Sequence, residues 1–248
     1  MNIALILSGG NGRRMGLNVP KQYIEVCGRP IISYCMESLS GHDGIDAIQI
    51  VAEEEWRDLI TESMEQLTKT REPGISSKFK GFSQPGASRQ LSVLNGLKDI
   101  KEYAADSDYV LIHDAARPML SVQMISECLD AVAGHDGVIP VLPMKDTVYS
   151  SKDGRVITSL LNRSQIFAGQ APELFVLGKY YEANVSLLPN DIMQINGSTE
   201  PAVIAGMDIA MIPGDEGNFK ITTSTDLERF RETVGEGSWP VNESMGAT

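Results

Sequence analysis

Residues 8–23 read SGGNGRRMGLNVPKQY, and the residue types in that run suit one task, the holding of a polyphosphate. The glycines Gly9, Gly10, Gly12 and Gly16 let backbone N–H groups turn inward and approach an anion closely. Arg13, Arg14 and Lys21 bring positive charge against it. Two familiar phosphate motifs do not fit: no Gly-Lys-Ser/Thr step closes a P-loop, and Gly10, Gly12 and Gly16 miss the dinucleotide GxGxxG register. The competing reading is a glycine-rich turn with solvated arginines, and the full run through Lys21 favours phosphate. A second centre is HDAARP, residues 113–118. There Asp114 either holds a magnesium ion through phosphate oxygens, since hard cations take carboxylate and phosphate ligands, or caps a turn with Arg117 as its partner. No Ser-His-Asp or Cys-His arrangement is legible.

The elements that must position these residues follow an α/β alternation. Residues 3–7 (IALIL) predict a strand buried on both faces that ends at the glycine run. Pro30 starts a helix carrying Ile31, Tyr34, Cys35 and Leu39 and stopping near Gly41, and residues 46–52 predict the second strand. Residues 88–100 predict a helix, 109–113 a strand, Ser121 the N-cap of a helix ending near Gly134, and 137–142 and 208–212 further strands. Thr225 with Glu228 has capping-box spacing for a final helix. HDAARP thus lies at the carboxyl edge of a parallel sheet, where α/β ligand sites form. Residues 144–165 break the alternation around Ser151-Lys152-Asp153-Gly154, which predicts a protruding hairpin, either an oligomerisation arm or an ordinary surface hairpin.

The chain has 248 residues, 42% of them hydrophobic, enough for one α/β domain over residues 1–234, with an aperiodic tail at 235–248. A formal charge of −12 disfavours extended nucleic-acid binding and throws weight on the few basic clusters. The three cysteines, Cys27, Cys35 and Cys128, lack metal or disulfide spacing. The apolar runs are too short to span a bilayer, so a cytoplasmic protein is expected, without membrane or nucleic-acid partners.

Taken together, LSGGNGRRMG with Pro20-Lys21-Gln22-Tyr23, RQLSVLNGL (89–97), HDAARP, Asp146-Thr147, residues 163–172 and NFKITTSTDL (218–227) resemble, in order, the signature of the 2-C-methyl-D-erythritol 4-phosphate cytidylyltransferases and the related ribitol-5-phosphate cytidylyltransferases. The resemblance covers roughly residues 2–232. It implies a three-layer Rossmann-like nucleotidyltransferase fold with a mostly parallel central sheet and a protruding β-arm at about residues 143–165. It further implies transfer of CMP from CTP to a small polyol phosphate with Mg²⁺, and a homodimer formed through the arm. On this resemblance Arg14, Lys21 and Lys220 stabilise charge at the reacting phosphorus. Ser8, Gly9, Gly10, Gly12, Arg13, Gly86, Ser92, Asp114, Ala115 and Arg117 hold the nucleotide, with Asp114 also on the metal. Thr147, Arg163 and Thr199 meet the acceptor, Arg163 reaching into the neighbouring subunit's site. Bland readings stand beside several of these: Ser92 bonding within its own helix, Thr147 and Thr199 capping turns, and His113 as a structural imidazole rather than a base.

Departures gather on the acceptor side. Gln170-Ala171-Pro172-Glu173 stands where the family usually has Gln-Thr-Pro-Gln, Ala87 replaces an acidic residue, and Thr199-Glu200 stands for Thr-Asp. Methylerythritol phosphate is the first acceptor implied. SGG in place of AAG and the run Phe167-Ala168-Gly169-Gln170 lean toward ribitol phosphate, and another sugar phosphate of surface-polymer synthesis is also open. The rivals of other classes are a non-catalytic nucleotide-binding homologue, which would have lost Lys21 or Lys220, and a dehydrogenase, for which Glu53 is placed but the glycine register fails.

Overall fold

The computed structural model describes residues 1–10, 19–70 and 75–235. The opening apolar run is strand β1 (Asn2–Leu7), fully buried from Ile3 to Ile6. A small ribbon of β2 (Glu25–Val26) and β3 (Arg29–Pro30) turns through Cys27 and Gly28, both at positive φ, and feeds α1 (Ile31–Ser40), which is C-capped by Gly41. There follow β4 (Ala47–Val51), α2 (Arg57–Thr70), the single turn α3 (Ile75–Lys78), β5 (Phe79–Ser83), α4 (Arg89–Ile100), β6 (Tyr109–Asp114), α5 (Val122–Ala131) and β7 (Gly137–Pro143). The last part holds β8 (Tyr149–Ser150), β9 (Ser159–Leu160), β10 (Phe167–Gly169), β11 (Glu173–Val176), α6 (Leu177–Val185), α7 (Thr199–Ile204), β12 (Ile209–Pro213) and α8 (Ser224–Gly235).

Eight of the strands make one sheet, ordered β10-β7-β11-β6-β1-β4-β5, with β12 on the other side of β7. β1, β4, β5 and β6 pair in parallel, as do β7 and β12. β10 and β11 run antiparallel to their neighbours, β10 beside residues 141–143 and β11 beside 137–138 of β7. Because β11 is antiparallel to both β6 and β7, those two strands point the same way. The carboxyl ends of all the parallel strands therefore open on one edge, where Glu173 at the start of β11 also lies.

Alternation along the strands feeds two cores. Ala4, Ile6, Ile48, Ile50, Leu111 and Leu174 face α1, α2 and α5, while Ile3, Leu5, Ala47, Val51, Val110, Ile112 and Phe175 face α4, α6 and α7. This is the three-layer arrangement expected. Gly96 lets α4 sit close on β1: a Cβ there would lie 2.5 Å from Leu5 Cδ1. α4 begins at a true N-cap, the Ser88 hydroxyl accepting from Leu91 N at 3.2 Å, and α5 likewise at Ser121.

The hairpin of β8 and β9 projects as predicted, its turn tied by Asp153 Oδ1, which accepts from the N–H groups of Arg155 and Val156, with Gly154 at φ 70°. The capping box of the last helix is not Thr225 with Glu228. It is one set of bonds earlier, where Asp226 Oδ2 accepts from Thr222 N, Thr223 N and Thr222 Oγ1, and Thr223 Oγ1 accepts from Asp226 N. Thr223 precedes the first helical residue, so only its hydroxyl is placed to cap. α8 runs through Gly235; the remainder of the expected tail, 236–248, lies outside the described residues.

Candidate active site

Asp114 ends β6, and three basic side chains converge on it. Lys220 Nζ donates to Oδ2 at 2.8 Å, Arg89 Nη2 and Nε to Oδ1 at 3.1 and 3.3 Å, and Arg117 Nε stands 3.8 Å from Oδ2. The carboxyl group is buried, which alone would raise its pKa; Arg89 and Lys220, followed by Arg117, outweigh burial and hold it far below the usual carboxylate range. Burial lowers the pKa of Arg117, whereas beside Asp114 and Glu173 the Arg89 guanidinium is raised despite its own burial. Arg89 opens α4, Arg117 follows β6, and Lys220 comes from the segment between β12 and α8, so three separate parts of the chain meet at one strand end.

That last segment is fixed by a set of buried and partly buried bonds. Ile221 N donates to Ala116 O at 2.8 Å, Arg117 Nη1 to Asn218 O at 2.7 Å, and Asn218 Nδ2 to Ala171 O at 2.7 Å. The amide of Gln170 is used at both ends, donating to Asp215 O and accepting from Asp215 N, each at 2.9 Å. Lys220 keeps a partly exposed side chain on this rigid strap. His113 is wholly buried, its Nε2 donating to Arg117 O at 2.9 Å, which makes it a brace for the 114–117 turn.

The glycine loop leaves β1 beside this centre. Gln22 Nε2 donates to Ser8 O at 2.7 Å and Gly10 O at 2.8 Å, and the Tyr23 hydroxyl donates to Ser8 O while accepting from Ser8 Oγ. Lys21 begins that same short 3-10 turn, Lys21–Tyr23, so the two residues after it anchor it to the end of β1. The Ser8 hydroxyl is buried and engaged with Tyr23, leaving the Gly9–Gly10 backbone as the local surface. A Cβ on Gly9 would lie 2.7 Å from the Pro85 ring, and one on Gly86 would lie 2.4 Å from Leu91 Cβ and 2.9 Å from Ser92 N. Ser92 Oγ accepts from Gly86 N and donates to Ser88 O, both at 3.0 Å, so it holds the 86 loop against α4 and also bonds within its own helix. Ala115 is buried, its N–H donating to Leu7 O at 3.0 Å. Gly12, Arg13 and Arg14 lie outside the described residues.

The acceptor candidates are divided. Thr199 Oγ1 donates to Glu173 Oε1 at 3.3 Å, which brings it within the Asp114 neighbourhood through Arg89. Thr147 and Arg163 stand on the arm, exposed, Arg163 Nη1 donating to Lys145 O at 2.8 Å; no contact joins them to the Asp114 cluster among the described residues. Arg89 and Gln170 join the site without a role assigned to either from the sequence, where each stands only within a longer run; Ser88 just before a helical pattern is the one local signal near Arg89. For a cation, Asp114 retains lone pairs beyond those taken by Lys220 and Arg89. Among the described residues no three His, Cys, Asp or Glu side chains come together, so Mg²⁺ there would draw its remaining ligands from phosphate and water, its common mode. Among the same residues no helix is long and apolar enough to cross a membrane.

The family model described as IspD, 2-C-methyl-D-erythritol 4-phosphate cytidylyltransferase, matches residues 2–234. A 2-C-methyl-D-erythritol 4-phosphate cytidylyltransferase of Syntrophotalea carbinolica is 35% identical over 237 residues, covering 94% of this chain and 97% of its own. A ribitol-5-phosphate cytidylyltransferase of Streptococcus agalactiae serotype V is 28% identical over 232 residues, covering 93% and 94%. The crystal structure of a 4-diphosphocytidyl-2C-methyl-D-erythritol synthase from Anaerococcus prevotii shares the fold at TM-score 0.78 and 23% identity, over 94% of this chain and 96% of that one. With a family match across nearly its whole length, and with the 89, 114–117 and 220 motifs converging at one sheet edge, the chain belongs to the 2-C-methyl-D-erythritol 4-phosphate cytidylyltransferase family.

Proposed function

We propose that this protein is a cytidylyltransferase that transfers CMP from CTP to a small polyol phosphate and releases pyrophosphate. The observation that carries this reading is the convergence of Lys220, Arg89 and Arg117 on Asp114 beside a glycine loop anchored through Gln22 and Tyr23. The acceptor's phosphate oxygen bonds to the α-phosphorus of CTP, and the bond from that phosphorus to the β-phosphate's bridging oxygen breaks. A phosphate dianion is already a nucleophile, so no protein base is required. The residues act by positioning and by charge: Lys220, with Lys21 and Arg14, faces charge that grows at the α-phosphate, and backbone N–H groups at Gly9 and Gly10 meet the triphosphate. Mg²⁺ at Asp114 would supply charge neutralisation across the phosphates. Gly86, held by Ser92, is the loop glycine we place beside the cytosine base.

Methylerythritol 4-phosphate is the acceptor proposed, in isoprenoid precursor synthesis and in the cytoplasm. Ribitol 5-phosphate is the second reading, supported by Ala171, which offers no hydroxyl, and by the buried acid Glu173 beside Thr199. The arm carries Tyr149, Val156, Ile157 and Leu160, all more than half exposed, and we assign it to a homodimer in which Arg163 and Thr147 complete the partner's acceptor site. Pyrophosphate release with CTP and Mg²⁺, offering the two acceptors in parallel, tests the reading. Release with one acceptor, abolished in Lys21→Ala, supports it, whereas failure of CTP to bind sinks it.

A further inference from the structure

Behind Asp114 lies a second carboxylate that the chemistry above leaves unused. Glu173 is buried at the start of β11; its Oε1 accepts from Thr199 Oγ1, and its Oε2 has no hydrogen-bond partner among the described residues. Thr199 follows Ser198, whose hydroxyl accepts from Arg89 Nη1, so Glu173 is held one residue from a group that holds Arg89, and its nearby charge helps to raise the pKa of that guanidinium. Arg89 is held in turn between Asp114 Oδ1 and Ser198 Oγ, and Ser198 is fixed by Tyr180, whose hydroxyl donates to Ser198 O at 2.6 Å. Burial raises the pKa of Glu173, an effect opposed first by Arg89. The cluster of Arg89, Arg117, Lys220, Asp114 and Glu173 carries a net charge of plus one with both acids ionised, and would carry plus two without the charge on Glu173.

We propose that Glu173 is a charge-setting residue, whose buried charge behind Arg89 keeps this guanidinium on Asp114 and Ser198 and off the incoming polyphosphate. The inference rests on the polyphosphate reading of the site. It makes Glu173 a brake on anion affinity that leaves Lys220 as the cation offered to the phosphates. A buried opposite charge restrains a neighbouring cation far more strongly than a solvated one does.

The test measures binding of inorganic tripolyphosphate and of CTP by calorimetry to the full chain and to Glu173→Gln. E173Q should bind tripolyphosphate about three- to tenfold more tightly at low salt, with the gain closing toward 1 M salt, where the screening length is roughly 3 Å. E173D, which keeps the charge, should stay within about twofold of the parent. In an Arg89→Gln background the added E173Q change should have little effect, because the cation it frees is gone; if E173Q alone fails to fold, Glu173→Met removes the same charge and is measured in its place. An unchanged affinity in E173Q, the same gain with E173D, or the same gain in the R89Q background would each overturn the proposal. Tripolyphosphate binding without CTP binding would instead count against the nucleotide reading alone, and binding of neither would overturn both.

Discussion

Arg117 donates through Nη1 to the main-chain oxygen of Asn218, two residues before Lys220, so the turn that carries Asp114 also grips the strap that delivers the lysine. The ion pair at the site is therefore braced twice, by the Arg117 side chain on Asn218 O and by the main-chain bond from Ile221 N to Ala116 O.

Lys220→Ala should cost about 10²- to 10³-fold in turnover, the usual scale for removing one group that faces developing charge. Its side chain is partly exposed, so thermal unfolding should stay close to that of the parent. Steady-state pyrophosphate release beside a melting curve checks both; a variant within threefold of parental turnover would remove Lys220 from the chemistry.

Asn218→Ala tests the strap. Loss of the buried bond to Ala171 O should destabilise the fold by about 1–2 kcal/mol. Turnover should fall further than stability predicts, while CTP affinity holds. If chemical denaturation shows the loss of stability and kinetics show no loss of turnover, Lys220 is not positioned from Asn218.

Gly86→Ala should be worse than Gly9→Ala. The new methyl at 86 meets the backbone of Leu91 and Ser92, which cannot yield without moving α4, whereas at Gly9 it meets the rim of one proline ring. CTP binding should be lost in the first and weakened in the second, as titration calorimetry would show; the reverse order would place the nucleotide away from the 86 loop.

His113 gives the protein a pH signature. Burial lowers its pKa from 6.5 to about 4, with the bond to Arg117 and the charge of Asp114 opposing only in part. Above pH 6.5 the ring is neutral folded or unfolded, and its contribution is full. As pH falls from 6.5 toward about 4 only the unfolded chain takes the proton, so stability drops by about 1.4 kcal/mol per pH unit and levels off below that. His113→Gln should lose that component of the slope in urea titrations across the same range; equal slopes would mean that the folded ring titrates normally.

Much of the frame was legible because it is written in short-range signals. The apolar run at β1, Pro30 and Gly41 around α1, and the Ser121 cap are each set by residues within a few positions. β10 and β11 were not legible. The antiparallel pairing of β10 with β7 and the insertion of β11 between β6 and β7 depend on pairing across long separations, and a four-residue strand such as Glu173–Val176 carries too little pattern to announce it. The same holds at the site. Asp114, Arg117 and Lys220 stand in recognisable runs, but that Arg89 should face Asp114 and that Glu173 should lie behind them follows from the sheet order alone. The final helix cap was misplaced because three adjacent Thr/Ser positions, 223–225, offer overlapping capping spacings, and only the geometry of Asp226 selects between them.

The place of β11 also orders events in time. β6 has β1 on one side and β11 on the other, and Asp114 gains Lys220 only from the strap that follows β12. A nascent chain that has emerged only as far as α5 can pair β1, β4, β5 and β6, yet leaves one edge of β6 bare, with Val110 and Ile112 flanking an unfilled lane. Such an edge is the exposed intermediate that slow, long-range pairing produces. Synthesis thus leaves this half-sheet waiting on the last third of the chain, and the centre becomes competent only when the carboxyl-terminal strap closes over it.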